Sequence, residues 1–227
     1  MPTKGKFCNF DCMYCECGWN ADGTGDRKLP SAAEVKTALE AKLSACAAEG
    51  IPIDSITFSG DGEPTLNPDF PQIVRDTIAL RDRYYPSAVV SVLSNATMLS
   101  RADVFDALRL VDNPILKLDA PSDGLAARIN QPRGGYHVTD VIRCLERFGG
   151  DFILQTMFLK APGFDSSSPE VLLPWMDTVR HLHPREVMVY TLDRPAPAAN
   201  LVKFSAEEMR ELVRPLIDEG YKIQIKE

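Results

Sequence analysis

The sequence predicts an α/β fold built on a parallel sheet, and three observations support this class. Helical and strand patterns alternate from residue 31 onward. Several strand segments are near-continuous apolar runs, which is typical of parallel strands covered on both faces. Strand–helix alternation at this spacing implies right-handed crossovers between parallel strands. These residues alone leave two arrangements possible, an open sheet or a sheet curled into a barrel.

The first helix has a complete start signal. Ser31 is a good N-cap and Glu34 follows three residues later, which forms a capping box. Leu39 and Leu43 fall on one face of this helix, which ends near Gly50. The later elements keep the alternation. We predict strands at 55–59, 89–94, 115–119, 152–158, 186–191 and 222–225, separated by helices at 70–84, 102–110, 138–148, 169–182 and 205–219.

Composition and charge limit the class of protein. The 227 residues are 44% hydrophobic and 25% charged, so we expect one globular domain spanning residues 1–227. No apolar run approaches the roughly 18 residues of a membrane span, and no secretory signal follows Lys4 and Lys6. We therefore expect a cytoplasmic protein without a membrane partner. The net charge of −7 disfavours a nucleic-acid substrate without excluding one.

Four of the six cysteines fall within ten residues, at Cys8, Cys12, Cys15 and Cys17. In a cytosolic chain, such clustering indicates metal binding or catalysis rather than a disulfide scaffold. The first three have the spacing C-x3-C-x2-C, from which soft thiolates can hold one iron–sulfur cluster. Three ligands would leave one iron open to chelation by the amine and carboxylate of a small molecule.

Two other interpretations of these cysteines remain open. Cys17 could complete a zinc site, because structural zinc is usually enclosed by four ligands. Alternatively, Cys12 and Cys15 could form a redox pair. The spacing favours the cluster, with Cys17 as a spare thiol. Cys46 and Cys144 stand alone in helical segments, where we expect them to pack as small apolar groups.

The cysteine loop, with Tyr14 just before its last cysteine, resembles the signature of the radical S-adenosylmethionine (SAM) superfamily. The resemblance implies that Cys8, Cys12 and Cys15 ligate a [4Fe–4S] cluster whose fourth iron binds SAM. Reduction would split SAM into methionine and a 5′-deoxyadenosyl radical, which abstracts hydrogen from a substrate. Tyr14 would then lie near the adenine. The resemblance also implies a partial (β/α)6 TIM-like barrel, an enzyme of oxidoreductase or lyase type, and an external electron donor such as flavodoxin or ferredoxin.

A second motif supports the resemblance. Gly60, Asp61, Gly62 and Glu63, followed by Pro64, come directly after the first predicted strand. They resemble the family's glycine–glycine–glutamate segment, whose backbone and acid hold the SAM amino group. Glycines allow the backbone to approach a ligand closely. The alternative is an ordinary glycine-rich turn, since Gly and Asp dominate turns.

Residues at three later strand ends are weaker candidates for SAM contacts. By the same resemblance, they would lie near its ribose, carboxylate or adenine. They are Ser94, Asn95, Lys117, Asp119, Tyr190 and Leu192. Alternation along a strand places Lys117 and Asp119 on one face, with Leu118 opposite. Each candidate has the alternative of being a hydrogen-bonded structural residue.

The finer resemblance is to small iron–sulfur oxidoreductases related to the radical SAM core of tRNA-wyosine synthases. Residues 4–7 and 59–64 carry it. The family's barrel begins with a strand before the cysteine loop, but residues 1–7 contain Pro2 and Gly5 and make a poor strand. We therefore expect either a barrel that lacks a regular first strand or a native start that lies upstream of Met1.

The substrate is left open among an RNA base, a protein and a small molecule, and no catalytic side chain is predicted. Residues 128–135 contain Arg128 and Arg133 and are a candidate substrate loop, the alternative being an ordinary solvated loop. Two alternative functions also stay open. One is a zinc-stabilised barrel, and the other is an iron–sulfur or SAM-binding protein without turnover.

Overall fold

The computed structural model describes residues 6–20 and 28–227, in which helices and strands alternate. Lys4 and Gly5, which belong to the resemblance with the small oxidoreductases, lie outside the described residues. A short 3-10 helix, Pro64–Leu66, follows the first strand. The helices are α1 (Ala32–Ala48), α2 (Phe70–Tyr84), α3 (Ala102–Leu108), α4 (Asp123–Ile129), α5 (Val138–Glu146), α6 (Pro169–Leu182) and α7 (Ala206–Asp218). The strands are β1 (Ser55–Phe58), β2 (Val89–Ser94), β3 (Asn113–Lys117), β4 (Ile153–Met157), β5 (Leu159–Ala161), β6 (Phe164–Asp165), β7 (Glu186–Tyr190), β8 (Val202–Lys203) and β9 (Ile223–Lys226).

Six of these strands form one parallel sheet in the order β1-β2-β3-β4-β7-β9. Every neighbouring pair is parallel, so the C-terminal ends of the strands lie at one edge of the sheet. The expected partial barrel of parallel strands is confirmed. Chemistry in such folds is concentrated at the C-terminal edge of the sheet.

Among the described residues before the cysteine loop, Phe7 pairs with the glycine-rich turn. Phe7 makes an isolated parallel bridge to Gly62, beyond the end of β1. The Phe7 amide donates to the Asp61 carbonyl at 3.0 Å, and the Phe7 carbonyl accepts from the Glu63 amide at 2.9 Å. These two hydrogen bonds tie the residue before the cysteine loop to the glycine-rich turn.

Helix starts were predicted well because their signals are local. Ser31 and Glu34 form both halves of the predicted capping box on α1. A second capping box, between Ser205 and Glu208, begins α7. Within the described residues, no helix has the length and apolar character needed to cross a bilayer.

The differences from prediction come from long-range pairing. β3 begins at Asn113 rather than 115, because Asn113 and Pro114 pair with Ser91 and Val92 of β2 despite the missing Pro114 amide. At its other end β3 stops at Lys117, so Asp119 follows the strand instead of ending it. The prediction also missed α4 and a small antiparallel sheet in the order β6-β5-β8.

The core lies between the parallel sheet and its helices. Val90, Leu116, Leu154 and Val187, one from each of four neighbouring strands, are fully buried. Burying one such aliphatic side chain stabilises the fold by about 1.5–3 kcal/mol. This packing gives the C-terminal strand ends a rigid base.

Candidate functional site

A cavity of ≈ 300 Å³ lies at the C-terminal ends of the parallel strands and under the cysteine loop. Its volume is within the range of small-molecule sites. Thiols, an acid, a lysine, amides and aromatic rings line it together. The lining residues are Cys8, Phe10, Cys12, Tyr14, Cys15, Glu16, Cys17, Ser59, Gly60, Gly62, Glu63, Leu93, Ser94, Asn95, Lys117, Gln155, Met157 and Tyr190.

The cysteine loop (residues 8–15) is held by the segment that follows α4. The Asp11 amide donates to the Asn130 carbonyl at 3.0 Å, and the Met13 amide donates to the Ile129 carbonyl at 3.0 Å. The Arg133 amide donates to the Asn9 carbonyl at 2.8 Å. Residues 128–135, interpreted above as a candidate substrate loop, therefore support the cysteine loop with their backbone.

Two side chains stiffen the loop from behind. The Asp11 carboxylate accepts from the Asn20 amide at 2.7 Å and from the Arg133 guanidinium at 2.5 Å. Burial raises the pKa of Asp11, but these donors outweigh it, so its pKa lies below the ordinary value. Asp11 is therefore ionised at neutral pH.

Two of the three predicted ligands, Cys8 and Cys12, have hydrogen-bond donors near their sulfur atoms. The Phe10 amide and the Asn95 side chain lie 3.3 Å and 3.7 Å from the Cys8 sulfur. The Asn130 amide nitrogen lies 3.4 Å from the Cys12 sulfur. Donors of this kind stabilise thiolates and tune a bound metal group.

The thiols differ in acidity. Burial raises the pKa of Cys8 to about 12 and that of Cys12 to about 11. A hydrogen bond from Cys17 and the cationic Lys6 lower the pKa of Cys15 to about 5, against its own burial. The same hydrogen bond raises the pKa of Cys17. Among these thiols, Cys15 is thus the one held as a thiolate by its surroundings.

Lys6 was missed as a site residue. Its side chain is only 3% exposed, and its ammonium donates to the Gly18 carbonyl at 3.1 Å. Burial lowers its pKa, but attraction to Cys15, Cys8 and Cys12 outweighs this and raises it. A buried lysine beside three thiols offsets part of the negative charge that three thiolates would bring.

The Glu63 carboxylate is buried and accepts four hydrogen bonds. Oε1 accepts from the Thr65 amide, the Thr65 hydroxyl and the Ser94 hydroxyl at 3.0, 2.5 and 2.8 Å. Oε2 accepts from the Asn95 amide at 2.7 Å. Burial nevertheless keeps the pKa of Glu63 above its ordinary value. Because Oε2 has a single donor, it can accept another hydrogen bond from a group in the cavity.

Asp119 lies behind the cavity rather than in its lining. Its carboxylate accepts from the Tyr14 hydroxyl, from Asn130 at 2.6 Å and from the Met157 amide at 2.9 Å. The aromatic ring of Tyr14 is thereby held in place at the cavity wall. Asp119 supports Tyr14 in this structure, and its contact with SAM stays a prediction.

Lys117 brings a positive charge into the cavity. Its ammonium donates to the Tyr190 hydroxyl and lies 3.5 Å from the Asp119 carboxylate. It also lies 5.0 Å from the Tyr14 ring centroid and 4.6 Å from that of Tyr190. Burial lowers its pKa, but Asp119 and Tyr190 more than compensate and raise it. The cavity therefore contains a fixed cation.

Most of the predicted site residues come together. The three cysteines, Tyr14, Gly60, Gly62, Glu63, Ser94, Asn95, Lys117 and Tyr190 all line the cavity. Asp61 is exposed and contributes its carbonyl to Phe7, and Leu192 packs against the core outside the cavity. Asn130 was missed because it contacts Cys12, Tyr14 and Asp119 only through the folded chain.

The donor set fits an iron–sulfur cluster with an amino-acid-bearing cosubstrate. Thiols are the ligands that such clusters require, and the acid, the lysine and the glycine-rich backbone are suited to an amino group and a carboxylate. The glycine at position 60 has φ +115° and open space where a Cβ would lie. Fold and site thus define a cluster-binding, parallel α/β barrel protein.

The chain belongs to the radical SAM superfamily, whose family model matches residues 3–159. The cofactors of this family are a [4Fe–4S] cluster and SAM. The chain is 29% identical over 198 residues to a UPF0026 protein of Synechocystis sp., covering 84% of this chain and 68% of that protein. It is 26% identical over 203 residues to a UPF0026 protein of Methanocaldococcus jannaschii, covering 87% of this chain and 60% of the relative.

Solved structures share the fold. SuiB of Streptococcus suis bound to S-adenosylmethionine superposes with a TM-score of 0.70 at 17% identity, over 98% of this chain and 49% of SuiB. A radical SAM methyltransferase from Sphaerobacter thermophilus superposes with a TM-score of 0.69 at 18% identity, over 96% and 62% of the two chains. The chain thus spans about 60–68% of the two UPF0026 relatives and about half of SuiB.

Proposed function

We propose that this chain is the catalytic core of a radical SAM enzyme that holds its cluster with Cys8, Cys12 and Cys15. One observation carries the proposal. The three thiols line the same cavity as the glycine-rich turn, Glu63 and Lys117, although these residues are up to 109 positions apart in the sequence. When bound and reduced, the cluster would supply the electron that cleaves SAM into methionine and a 5′-deoxyadenosyl radical, which abstracts hydrogen from the substrate.

The side chains of the cavity suit separate parts of SAM. Glu63 Oε2, which accepts a single hydrogen bond, would accept another from the amino group. Lys117 would attract the carboxylate, as a partly buried cation in the same cavity. Tyr14, held by Asp119, and Tyr190 would offer flat apolar faces for the adenine ring.

The alternative of a zinc-stabilised barrel has less support. A tetrahedral zinc site needs its sulfur ligands roughly 3.8 Å apart, as follows from Zn–S bonds of about 2.3 Å. Within residues 6–20 and 28–227, no three Cys, His, Asp or Glu side chains are arranged to hold a single metal ion. A cluster places its cysteines on different irons and therefore needs wider spacing.

The finer function remains a prediction. The similarity to UPF0026 proteins supports the family without supporting the link to tRNA-wyosine synthases. Substrate, reaction class and cytoplasmic location stay predictions. We expect an external electron donor of the flavodoxin or ferredoxin class.

Anaerobic reconstitution tests the proposal. The protein should bind about four irons per chain, the content of one [4Fe–4S] cluster. With dithionite and SAM it should release 5′-deoxyadenosine. Replacing Cys12 with Ala should abolish iron binding, whereas the matched change Cys17→Ala should leave the iron content unchanged. A colourless protein that prefers zinc would contradict the cluster, and a brown protein that never cleaves SAM would contradict the enzymatic activity.

A further inference from the structure

A second cavity, of ≈ 460 Å³, lies on the outer side of the cysteine loop. It is lined by Asn9 of the loop, by Thr97 and Ser100 after β2, and by Arg143 and Arg147 of the α5 region. Neither the cluster nor SAM uses this cavity in the function proposed above. We propose that it is the docking site for an acidic one-electron donor protein of the flavodoxin or ferredoxin class, an inference that rests on the proposed function.

The charge of the cavity favours an acidic partner. Three arginines, Arg133, Arg143 and Arg147, line the cavity together with one acid, Asp140. Arg147 is exposed and makes no ion pair with the carboxylates in the described part of the chain. Its guanidinium instead lies 3.8 Å from the centroid of the Phe105 ring and donates to the Leu99 carbonyl at 3.5 Å. An acidic partner can therefore bind Arg147 without displacing a carboxylate of this chain.

The other two arginines keep donors available. Arg143 pairs with Asp140 at 3.0 Å, but both side chains are exposed, so water screens the pair. Arg133 pairs with Asp11 at 2.5 Å and is half-exposed. A guanidinium has five N–H donors and can hold a second carboxylate while one pair is kept.

The net charge of the chain makes a local patch necessary. At −7 overall, the chain as a whole repels an acidic protein. A cationic surface at one point directs such a partner to that point and raises its association rate. The cavity provides this surface close to the cluster ligands, because Asn9, the neighbour of Cys8 in the sequence, is part of its lining.

The wall between the two cavities also favours a reductant on the outer side. It is a closed hydrogen-bonded triangle of Asn9, Asn95 and Thr97. The Asn9 side-chain amide donates to the Thr97 hydroxyl at 2.8 Å, and the Asn95 side-chain amide donates to Asn9 Oδ1 at 2.7 Å. The Thr97 hydroxyl in turn donates to Asn95 Oδ1 at 2.7 Å. Asn95 also lies 3.7 Å from the Cys8 sulfur. A group in the outer cavity is thus separated from a cluster ligand by one layer of side chains.

The wall discriminates between a donor and a substrate. Hydrogen abstraction needs direct contact between the reacting atoms, and the triangle prevents that contact from the outer cavity. Electron transfer needs proximity without contact. In the proposed step, the reduced donor loses one electron and the cluster gains it, with no bond made or broken. The position therefore fits a reductant better than a substrate.

The test uses the reconstituted protein and a double reversal, Arg143→Glu with Arg147→Glu. Arg133 is left intact because it supports the cysteine loop. The matched control is Arg75→Glu with Arg210→Glu, which changes the charge equally at exposed positions on α2 and α7 outside the cavity. Equal melting temperatures of variant and control would exclude a folding defect. If the double reversal lowers the melting temperature, the single variant Arg143→Glu takes its place in the test, because it keeps the contact between Arg147 and Phe105.

Two readouts separate docking from catalysis. The Kd for oxidised flavodoxin, measured by fluorescence anisotropy at low salt, should rise about tenfold or more in the reversal and change little in the control. Flavodoxin-driven release of 5′-deoxyadenosine should fall in parallel, while dithionite-driven release should be unchanged. An unchanged Kd, or an equal loss of the dithionite-driven rate, would overturn the docking site. Absence of dithionite-driven cleavage in the unmodified protein would instead refute the proposed function, and the Kd comparison would still test docking.

Discussion

Gly60 and Gly62 allow the contribution of one backbone contact to be isolated. Both have positive φ, +115° and +138°, so an alanine costs about 1–3 kcal/mol of backbone strain at either position. Their surroundings differ. A Cβ at Gly62 would lie 1.9 Å from the Phe7 carbonyl oxygen, whereas a Cβ at Gly60 would have no heavy atom within 4 Å.

Gly62→Ala must therefore displace Phe7. The displacement breaks the two hydrogen bonds that Phe7 makes with Asp61 and Glu63, at about 1 kcal/mol each. We expect the free energy of unfolding to fall by about 3–5 kcal/mol for Gly62→Ala and by about 1–3 kcal/mol for Gly60→Ala, a difference of roughly 2 kcal/mol. Because Phe7 precedes Cys8, Gly62→Ala should also reduce iron retention.

Urea unfolding of the reduced, cluster-free chain measures the two free energies, and iron analysis after reconstitution measures the second effect. Gly60→Ala should keep its iron, since its methyl group enters open space beside the cavity. Free energies for the two variants that agree within about 0.5 kcal/mol would refute the reasoning, because the strain is shared and only the contact with Phe7 differs.

Two further predictions concern buried polar contacts, and a third concerns the partly exposed carboxylate of Asp112. Glu63→Gln should lower stability by about 1–3 kcal/mol in urea unfolding, because its amide group faces hydrogen donors that the carboxylate now satisfies; wild-type stability would contradict the buried network. Asn130→Ala should cost a similar amount, about 1–3 kcal/mol, by leaving the Asp119 carboxylate short of a donor, and an unchanged near-ultraviolet tyrosine spectrum in that variant would argue against the support of Tyr14. Burial raises the pKa of Asp112, but the Val90 amide and Arg81 outweigh it and hold the pKa below its ordinary value. A carboxyl with a lowered pKa stabilises the fold above that ordinary value and loses this contribution as the pH falls through the folded-state pKa. Asp112→Asn should therefore lower the free energy of unfolding by less than about 1 kcal/mol at pH 7, because the carboxylate is partly exposed and water screens its pair with Arg81. The difference from wild type should shrink in acid, and a difference that widened in acid would contradict the sign.

Local signals explain what the sequence predicted correctly. The capping box at Ser31 depends on residues three positions apart, and the helix at α2 was predicted from residue 70 to residue 84 as observed. The spacing of the cysteines and the glycine-rich turn after β1 are equally local. Their meeting in one cavity followed from the parallel sheet, which brings strand ends to one edge.

The features that the sequence did not indicate come from contacts between distant residues. Asp119 was a strand-end candidate for a SAM contact, and in the structure its carboxylate accepts hydrogen bonds from Tyr14, 105 positions away, and from Met157, 38 positions away. Residues 128–135 were left open between a substrate loop and an ordinary solvated loop, and their backbone is hydrogen-bonded to the cysteine loop. No spacing pattern along the chain indicates either partner.

The sequence by itself determined the alternation of strands and helices, the three-thiol loop and the glycine-rich turn, because periodicity and spacing are properties of neighbouring residues. Only the tertiary structure decided which strand-end residues enter the cavity and which support it from behind. It also decided that Lys6 lies buried beside the thiols and that arginines collect on the outer side of the loop. The physical reason is that the role of a buried polar group depends on its hydrogen-bond partner, and folding alone brings most of those partners together.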